Sequence, residues 1–241
     1  MHMKLSVIIP AYNESKRIGP TLININEYLS RQAYEWEILV VNNNSNDDTV
    51  AVVQRHQQII GHLHLIDEHK AGKGYAVTRG MLEATGDIRL FTDADNATTI
   101  DHVERMLPYV SQGYDVVIGS IAIPGAKIAQ GGGEPLWRVV FGKLGNLWIQ
   151  FWAVPGIHDT QRGFKMFTVR AAQAIFSKLT IFGWGFDIEV LALARKFGYK
   201  IKEVPITWNN DPHSNVSIWA YPGVLLETLK VRWNLLTGAY H

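Results

Sequence analysis

Four short apolar runs, Leu5–Pro10, Glu37–Val41, His62–Ile66 and Ile88–Thr92, recur along the first half of the chain, each separated from the next by an amphipathic stretch. Strand-length runs alternating with helical periodicity specify β-α-β units, and hence an α/β fold with a mainly parallel sheet flanked by helices. The intervening helices are predicted over residues 15–30, 47–60 and 74–85. Asn46 or Asp47 caps the second, and Gly86 closes the third. A further helix is predicted over 100–112 and a strand over 115–119. Beyond that, residues 124–134 are rich in glycine without apolar periodicity and read as a loop. An aromatic amphipathic helix follows over 136–154 and stops at Pro155-Gly156. A strand over 163–168, helices over 170–179 and 187–197, and a strand over 200–206 come next. An aromatic, basic helix over 221–236 ends the chain. No repeat or linker interrupts the pattern, so residues 4–241 are expected to form one domain, with 4–120 and 121–241 as its two halves.

With 47% hydrophobic residues in 241, the chain has ample material for a buried core, and its net charge of +1 gives no electrostatic reason to expect nucleic acid as a partner. There is no cysteine, which excludes disulfides and thiolate metal sites. Met1-His2-Met3 reads as a remnant ahead of a natural start at Met3. No secretory leader and no apolar run of membrane-spanning length is read.

Sheets of this kind bind ligands beyond the carboxyl ends of their strands. Three such ends are unusually polar: Pro10-Ala11-Tyr12-Asn13-Glu14, Asn42-Asn43-Asn44-Ser45 and Asp93-Ala94-Asp95. Two carboxylates one residue apart suit Mg²⁺ or Mn²⁺, which retain coordination positions for water and substrate phosphates. Asp also favours turns and Asn96 follows directly, so a plain turn is the competing reading. Lys70-Ala71-Gly72-Lys73-Gly74 has the small residues and the cation of a phosphate-approach loop, or of a flexible turn with solvated lysines.

Val7–Glu14, Asn42–Thr49, Gly72-Lys73-Gly74 and Thr92–Asp95 together resemble the family 2 glycosyltransferases of the nucleotide-sugar-binding GT-A fold. In the second half, Asp159–Lys165, Trp184–Glu189, Glu203–Ile206 and Leu235–Gly238 resemble the polyprenyl-phosphate hexose synthases, dolichyl-phosphate β-glucosyltransferases above all. The resemblance implies that Pro10, Ala11, Tyr12 and Glu14 contact the nucleoside, that Asn42 and Asn43 close on the base, and that Lys73 approaches the phosphates. Asp93 and Ala94 would lie near the ribose and diphosphate, with Asp93 and above all Asp95 holding Mg²⁺ or Mn²⁺. The family usually carries acids where this chain has Asn42 and Asn43. An amide oxygen still accepts a hydrogen bond, but without the assistance of charge.

The reaction so implied is inverting transfer of a hexose, glucose from UDP-glucose, to a polyprenyl (dolichyl or undecaprenyl) phosphate. The alternatives are a GDP-mannose-dependent mannose synthase, a transferase acting on a sugar hydroxyl with Asp187 as base, and a nucleotide-sugar-binding protein without activity. A phosphomonoester is already largely ionised at neutral pH, so the site needs cations to hold two anions together more than it needs a base. Arg138, Arg162 and Lys165 are the candidates for the acceptor phosphate. Arg138 and Asp187 join Asp95 as candidate catalytic residues, Asp187 in an orienting role or as the cap of the helix that follows it. Ile121 and Asn215 replace residues common in the family. Leucines and tryptophans at helical spacing over 136–152 and 219–233, with lysine and arginine beside them, read either as core or as helices lying in a membrane interface. A lipid acceptor favours the interface, on the cytoplasmic face of a membrane. Whether a membrane-spanning partner takes the product is open in the sequence.

Overall fold

The structure, a computed structural model, describes residues 3–129, 136–209 and 220–240; the side chains of 136–141 and of 220–221 lie outside that description. Seven strands form the central sheet: β1 (Lys4–Ala11), β2 (Glu35–Asn42), β3 (Leu63–Asp67), β4 (Ile88–Thr92), β5 (Val116–Ser120), β7 (Phe164–Thr168) and β8 (Ile201–Pro205). Their order is β3-β2-β1-β4-β7-β5-β8. Every pairing is parallel except those of β7, which runs antiparallel between β4 and β5.

Alternate residues of each strand face opposite sides, and both sides are covered. On one side α1 (Ile18–Leu29), α2 (Thr49–Gln57) and α4 (Val103–Ser111) bury Leu22, Val53 and Met106 against Val7, Ile9 and Leu90. On the other, α3 (Lys73–Glu83), α6 (Val169–Phe176) and α7 (Phe186–Lys196) bury Val77, Ile175 and Leu191 against Ile8, Phe91 and Phe167. Helix α3 lies so close to the sheet that a Cβ on Gly80 would stand 2.4 Å from Ile8 Cγ2. Outside α7 lie α5 (Leu136–Trp152) and α8 (Ala220–Thr237), which pack on one another.

The predicted strands and helices are present, with three informative differences. Helix α1 starts at Ile18 rather than Ser15, because the Glu14 carboxylate grips the Arg17 guanidinium through two 2.6 Å contacts and the Ser15 N–H donates to Asp47. Gly86 is not the cap of α3, whose C-cap is Ala84; instead Gly86 admits Ser6, whose Oγ would lie 2.5 Å from an added Cβ. The predicted loop over 124–134 contains β6 (Lys127–Ala129), paired with β9 (Thr207–Asn209) in a separate two-stranded sheet. Three-residue strands leave no periodic signal. Residues 130–134 of that loop, and Asn215, lie outside the described residues.

At the amino end of the sheet, Glu37 is a buried carboxylate that accepts from Ser6 Oγ (2.6 Å), Thr85 N (2.7 Å) and Lys4 Nζ (3.0 Å). Burial alone would raise its pKa, but these hydrogen bonds outweigh burial and bring it down to about 2. A depressed carboxylate stabilises the fold above its unfolded pKa, and that contribution disappears as pH falls through the folded value. Glu37→Gln is therefore expected to lower unfolding free energy at pH 7 by about 1–3 kcal/mol. The same change should flatten the decline in stability between about pH 4.5 and pH 2, measured by urea unfolding across that range.

Candidate active site

Strand β1 has β2 on one side and β4 on the other, so connections leave it in opposite directions and open a crevice beyond the carboxyl ends of these strands. Each of the three ends turns through an asparagine with positive φ: Asn13 (56°), Asn44 (60°) and Asn96 (55°). Asparagine tolerates this left-handed conformation because its short amide bonds locally. Asn13 Oδ1 accepts from Asn46 N at 2.9 Å, and Asn44 Nδ2 donates to His69 O at 3.0 Å.

The β4 turn carries Asp93 and Asp95 into a cavity of about 170 Å³, walled also by Lys73, Arg162, Trp184 and Trp208. Asp93 rests directly on Gly163, where any Cβ would come within 2.0 Å of its carboxylate, and its N–H donates to Gly163 O. Lys73, the first residue of α3, places Nζ 2.6 Å from Asp93 Oδ1. Burial works against the Lys73 ammonium, but Asp93, with Asp187 and Asp95 behind it, outweighs that cost and raises its pKa. Asp95 accepts from Ala97 N at 3.0 Å; burial first, then the charge of Asp93, pushes its carboxyl above the usual range. Ala94 is buried, and its carbonyl accepts from Thr21 Oγ1 of α1 at 2.7 Å. The turn and the carboxylate pair are thus one feature, the turn holding both acids toward the cavity.

Behind this cavity lies a second pair. Lys165 of β7 is fully buried, with Nζ 2.6 Å from Asp187 Oδ1 and a further hydrogen bond to Arg162 O. Burial raises the Asp187 carboxyl, and Lys165, then Lys73, offset part of that rise. Asp187 is 3% exposed and does not line the cavity. Lys165, expected near an acceptor phosphate, faces Asp187 and the Phe91 ring instead.

Arg162 remains at the cavity, stacked 4.4 Å above the Trp208 ring and 3.4 Å from Asp159. Trp208 carried no sequence signal. It is brought there by β9, whose Asn209 N–H donates to Ala97 O at 2.8 Å. Arg138 lies in the first turn of α5, and its side chain is outside the description.

The amides of Asn42 and Asn43 are consumed internally. Asn43 donates to Glu68 O and Lys70 O and accepts from Gly72 N at 2.8 Å, tying β2 to the Lys73 loop. Asn42 accepts from Ser45 N and donates to Asp67 Oδ1 at 2.8 Å. A carboxylate does stand at this edge, that of exposed Asp67 on β3, in register with Asn42 and with one oxygen accepting from it. Sequence reading passed it over because it sits one strand away from the motif. Tyr12 is 59% exposed beside these strand ends, whereas Ala11 is buried and Pro10 partly so. Glu14, paired with Arg17, is half-buried, and burial raises its pKa.

Among the described residues no cluster of three or more His, Cys, Asp or Glu side chains is placed to hold a metal. Two carboxylates beside a phosphate-sized cavity fit Mg²⁺ or Mn²⁺, which characteristically bind one or two protein carboxylates and complete their shell with substrate phosphates and water.

Comparison with known proteins agrees with this geometry. The family model described as "Glycosyl transferase family 2" matches residues 6–176. Dolichyl-phosphate beta-glucosyltransferase ALG5C of Trichomonas vaginalis is 38% identical over 223 residues, covering 88% of this chain and 65% of its own length. The Homo sapiens dolichyl-phosphate beta-glucosyltransferase is 32% identical over 254 residues, covering 98% of this chain and 77% of its own length. The chain thus spans about two thirds to three quarters of these relatives. In fold it is similar to glucosyl-3-phosphoglycerate synthase of Mycobacterium tuberculosis, crystallised with Mn²⁺, UDP-glucose and phosphoglyceric acid. That match has a TM-score of 0.69 and 18% identity over 98% of this chain and 80% of the other. With a GT-A-like sheet, an acid pair at its switch point and a family match over most of its length, the chain belongs to glycosyl transferase family 2 and is a glycosyltransferase.

Proposed function

We propose that this glycosyltransferase moves glucose from UDP-glucose to a polyprenyl phosphate at a membrane surface, with inversion at the anomeric carbon. The observation that carries this reading is the Asp93–Asp95 pair seated on Gly163 and facing Lys73 across the cavity. Asp95 and Asp93 would hold the divalent ion, which when bound supplies Lewis-acid neutralisation of the departing diphosphate. Lys73 adds a second positive charge at the same corner. Trp184 and Trp208 wall the space beside it with flat apolar surface suited to a sugar ring.

The buried Lys165–Asp187 pair argues for an acceptor that brings its own negative charge. One Asp187 oxygen is taken by a lysine, and the group is 3% exposed and off the cavity lining, a poor position for taking a proton from a hydroxyl acceptor. A phosphate acceptor needs no such base. Arg162, at the cavity, and Arg138 of α5 are its proposed partners; Lys165 serves instead to orient Asp187. Relatives named for dolichyl phosphate support the same acceptor class.

The membrane surface is proposed from α5 and α8. Leu147 and Phe151 on α5, and Leu226, Trp233 and Leu236 on α8, are 62–76% exposed, so these stripes are not core. Lys143, Lys230 and Arg232 are exposed on the same two helices and complement anionic headgroups. No helix among the described residues is long and apolar enough to cross a membrane. Trp148 and Trp152 are partly buried against one another, so the better test positions are their exposed neighbours.

Four outcomes are expected. UDP with Mn²⁺ should raise the melting temperature, while GDP should not. Asp95→Ala, or Gly163→Ala by displacing Asp93, should lower turnover of UDP-glucose with a polyprenyl phosphate by about 100-fold or more. Absence of product from the unmodified protein under these conditions would refute the reading. Asp67→Asn should weaken UDP binding by about tenfold if this carboxylate accepts from the base imide, measured by calorimetry. Replacing both Leu147 and Phe151 by serine should reduce co-sedimentation with anionic vesicles, and undiminished sedimentation would assign that stripe elsewhere.

A further inference from the structure

Helix α7 opens the wall of the cavity that contains Trp184, yet its N-cap, Gly185, has no side chain with which to satisfy the first N–H groups. The missing acceptor comes from another helix. Glu227 of α8 receives the Gly185 N–H on Oε2 at 2.7 Å. The fit is close on both sides of Trp184: a Cβ on Gly183 would stand 2.5 Å from Glu227 Oε1, and one on Gly185 2.7 Å from Oε2. The carboxylate thus fills the concave side of the Gly183-Trp184-Gly185 turn, where the amino-terminal end of α7 also favours a negative charge. Trp184 itself is 46% exposed and projects into the cavity shared with Asp93 and Asp95, its carbonyl held by Gln161 Nε2.

The same segment is tied to α8 a second time and then to the phosphate side of the cavity. Asn234 Nδ2 donates to Thr180 Oγ1 at 3.0 Å, and the hydroxyl of Tyr240, just beyond α8, donates to buried Glu189 at 2.6 Å. Between these ties, Phe182 accepts from Gly74 N at 3.0 Å and stacks on Tyr75 with ring centroids 3.8 Å apart. Gly74 adjoins Lys73, which contacts Asp93. One short segment, Thr180–Gly185, therefore touches α8 at both ends and the Lys73 loop in its middle.

We infer that Glu227 is a positioning residue through which seating of the apolar face of α8 on a lipid surface sets the Trp184 turn, so that surface binding and donor binding are energetically coupled. The inference rests on the donor and membrane reading given above. It makes α8 more than an anchor, because a helix held at an interface fixes Glu227, and Glu227 fixes the turn that walls the donor cavity.

The test is the calorimetric affinity for UDP with Mn²⁺, measured with and without phosphatidylcholine–phosphatidylglycerol vesicles. Vesicles are expected to tighten binding to the unmodified protein by about fivefold or more. Glu227→Gln keeps an acceptor for the Gly185 N–H and should retain most of this gain. Glu227→Ala should lose it while still sedimenting with vesicles and keeping its circular dichroism. Gly183→Ala, which pushes the carboxylate out from the opposite side, should lose it as well and serves if the alanine variant at 227 does not fold. Retention of the vesicle effect in either variant overturns the inference, as does an unmodified protein that binds both vesicles and UDP without coupling. Failure to bind UDP or vesicles at all overturns the functional reading itself, and this inference with it; the separate sedimentation and titration controls tell the two failures apart.

Discussion

Two lysine–aspartate pairs organise this molecule, one fully buried and one at the wall of the cavity. Lys165 meets Asp187 behind the cavity and Lys73 meets Asp93 within it, both at 2.6 Å. A charge withdrawn from water is costly unless paired, and leaving one partner of the buried Lys165–Asp187 pair alone would cost about 3–5 kcal/mol. Each pair therefore constrains the elements that supply it. Lys165 fixes β7 to α7, and Lys73 fixes the start of α3 to the end of β4. The antiparallel strand β7 belongs to the same logic. Inserted between β4 and β5, it delivers Lys165 from one side and, through Gly163, makes the space in which Asp93 sits.

The chemistry follows from what these pairs leave free. Asp187 pairs with Lys165 away from the cavity, whose lining offers acids suited to a divalent ion and cations suited to phosphate. This arrangement suits the proposed acceptor, which is already anionic. The aromatic walls come from short segments: Trp184 from a turn whose carbonyl accepts from Gln161 Nε2, and Trp208 from the three-residue strand β9, whose Asn209 N–H donates to Ala97 O. The outer helices complete the design. Helix α8 presents leucine and tryptophan outward and a single carboxylate inward, to the turn that carries Trp184.

Much of the fold was legible because apolar runs and helical spacing report burial directly. Val7-Ile8-Ile9, Ile38–Val41 and Leu90-Phe91 read as buried strands because both faces of the sheet are covered. Asp93 and Asp95 were legible as acids at a strand end, and the turn that competed with a site is the feature that holds both at the cavity. Asn42 and Asn43 were legible as polar strand ends, but their consumption by Asp67, Ser45, Glu68, Lys70 and Gly72 was not, since those partners converge only when β2 and β3 pair. Lys165 looked like a cation for substrate because nothing in its local sequence reveals that β7 is buried on both sides.

Sequence alone determined the alternation of strands and helices, the acid pair at the end of β4, the glycine–lysine loop that faces it, and the amphipathic character of the outer helices. These depend on periodicity and on residues adjacent in the chain. Only the tertiary structure decided which charges neutralise each other, that Asp67 brings a carboxylate beside Asn42, that β9 brings Trp208 to the cavity, and that Glu227 caps α7. Each of those is a contact between residues tens of positions apart, and its geometry exists only once the packed sheet has closed the distance between them.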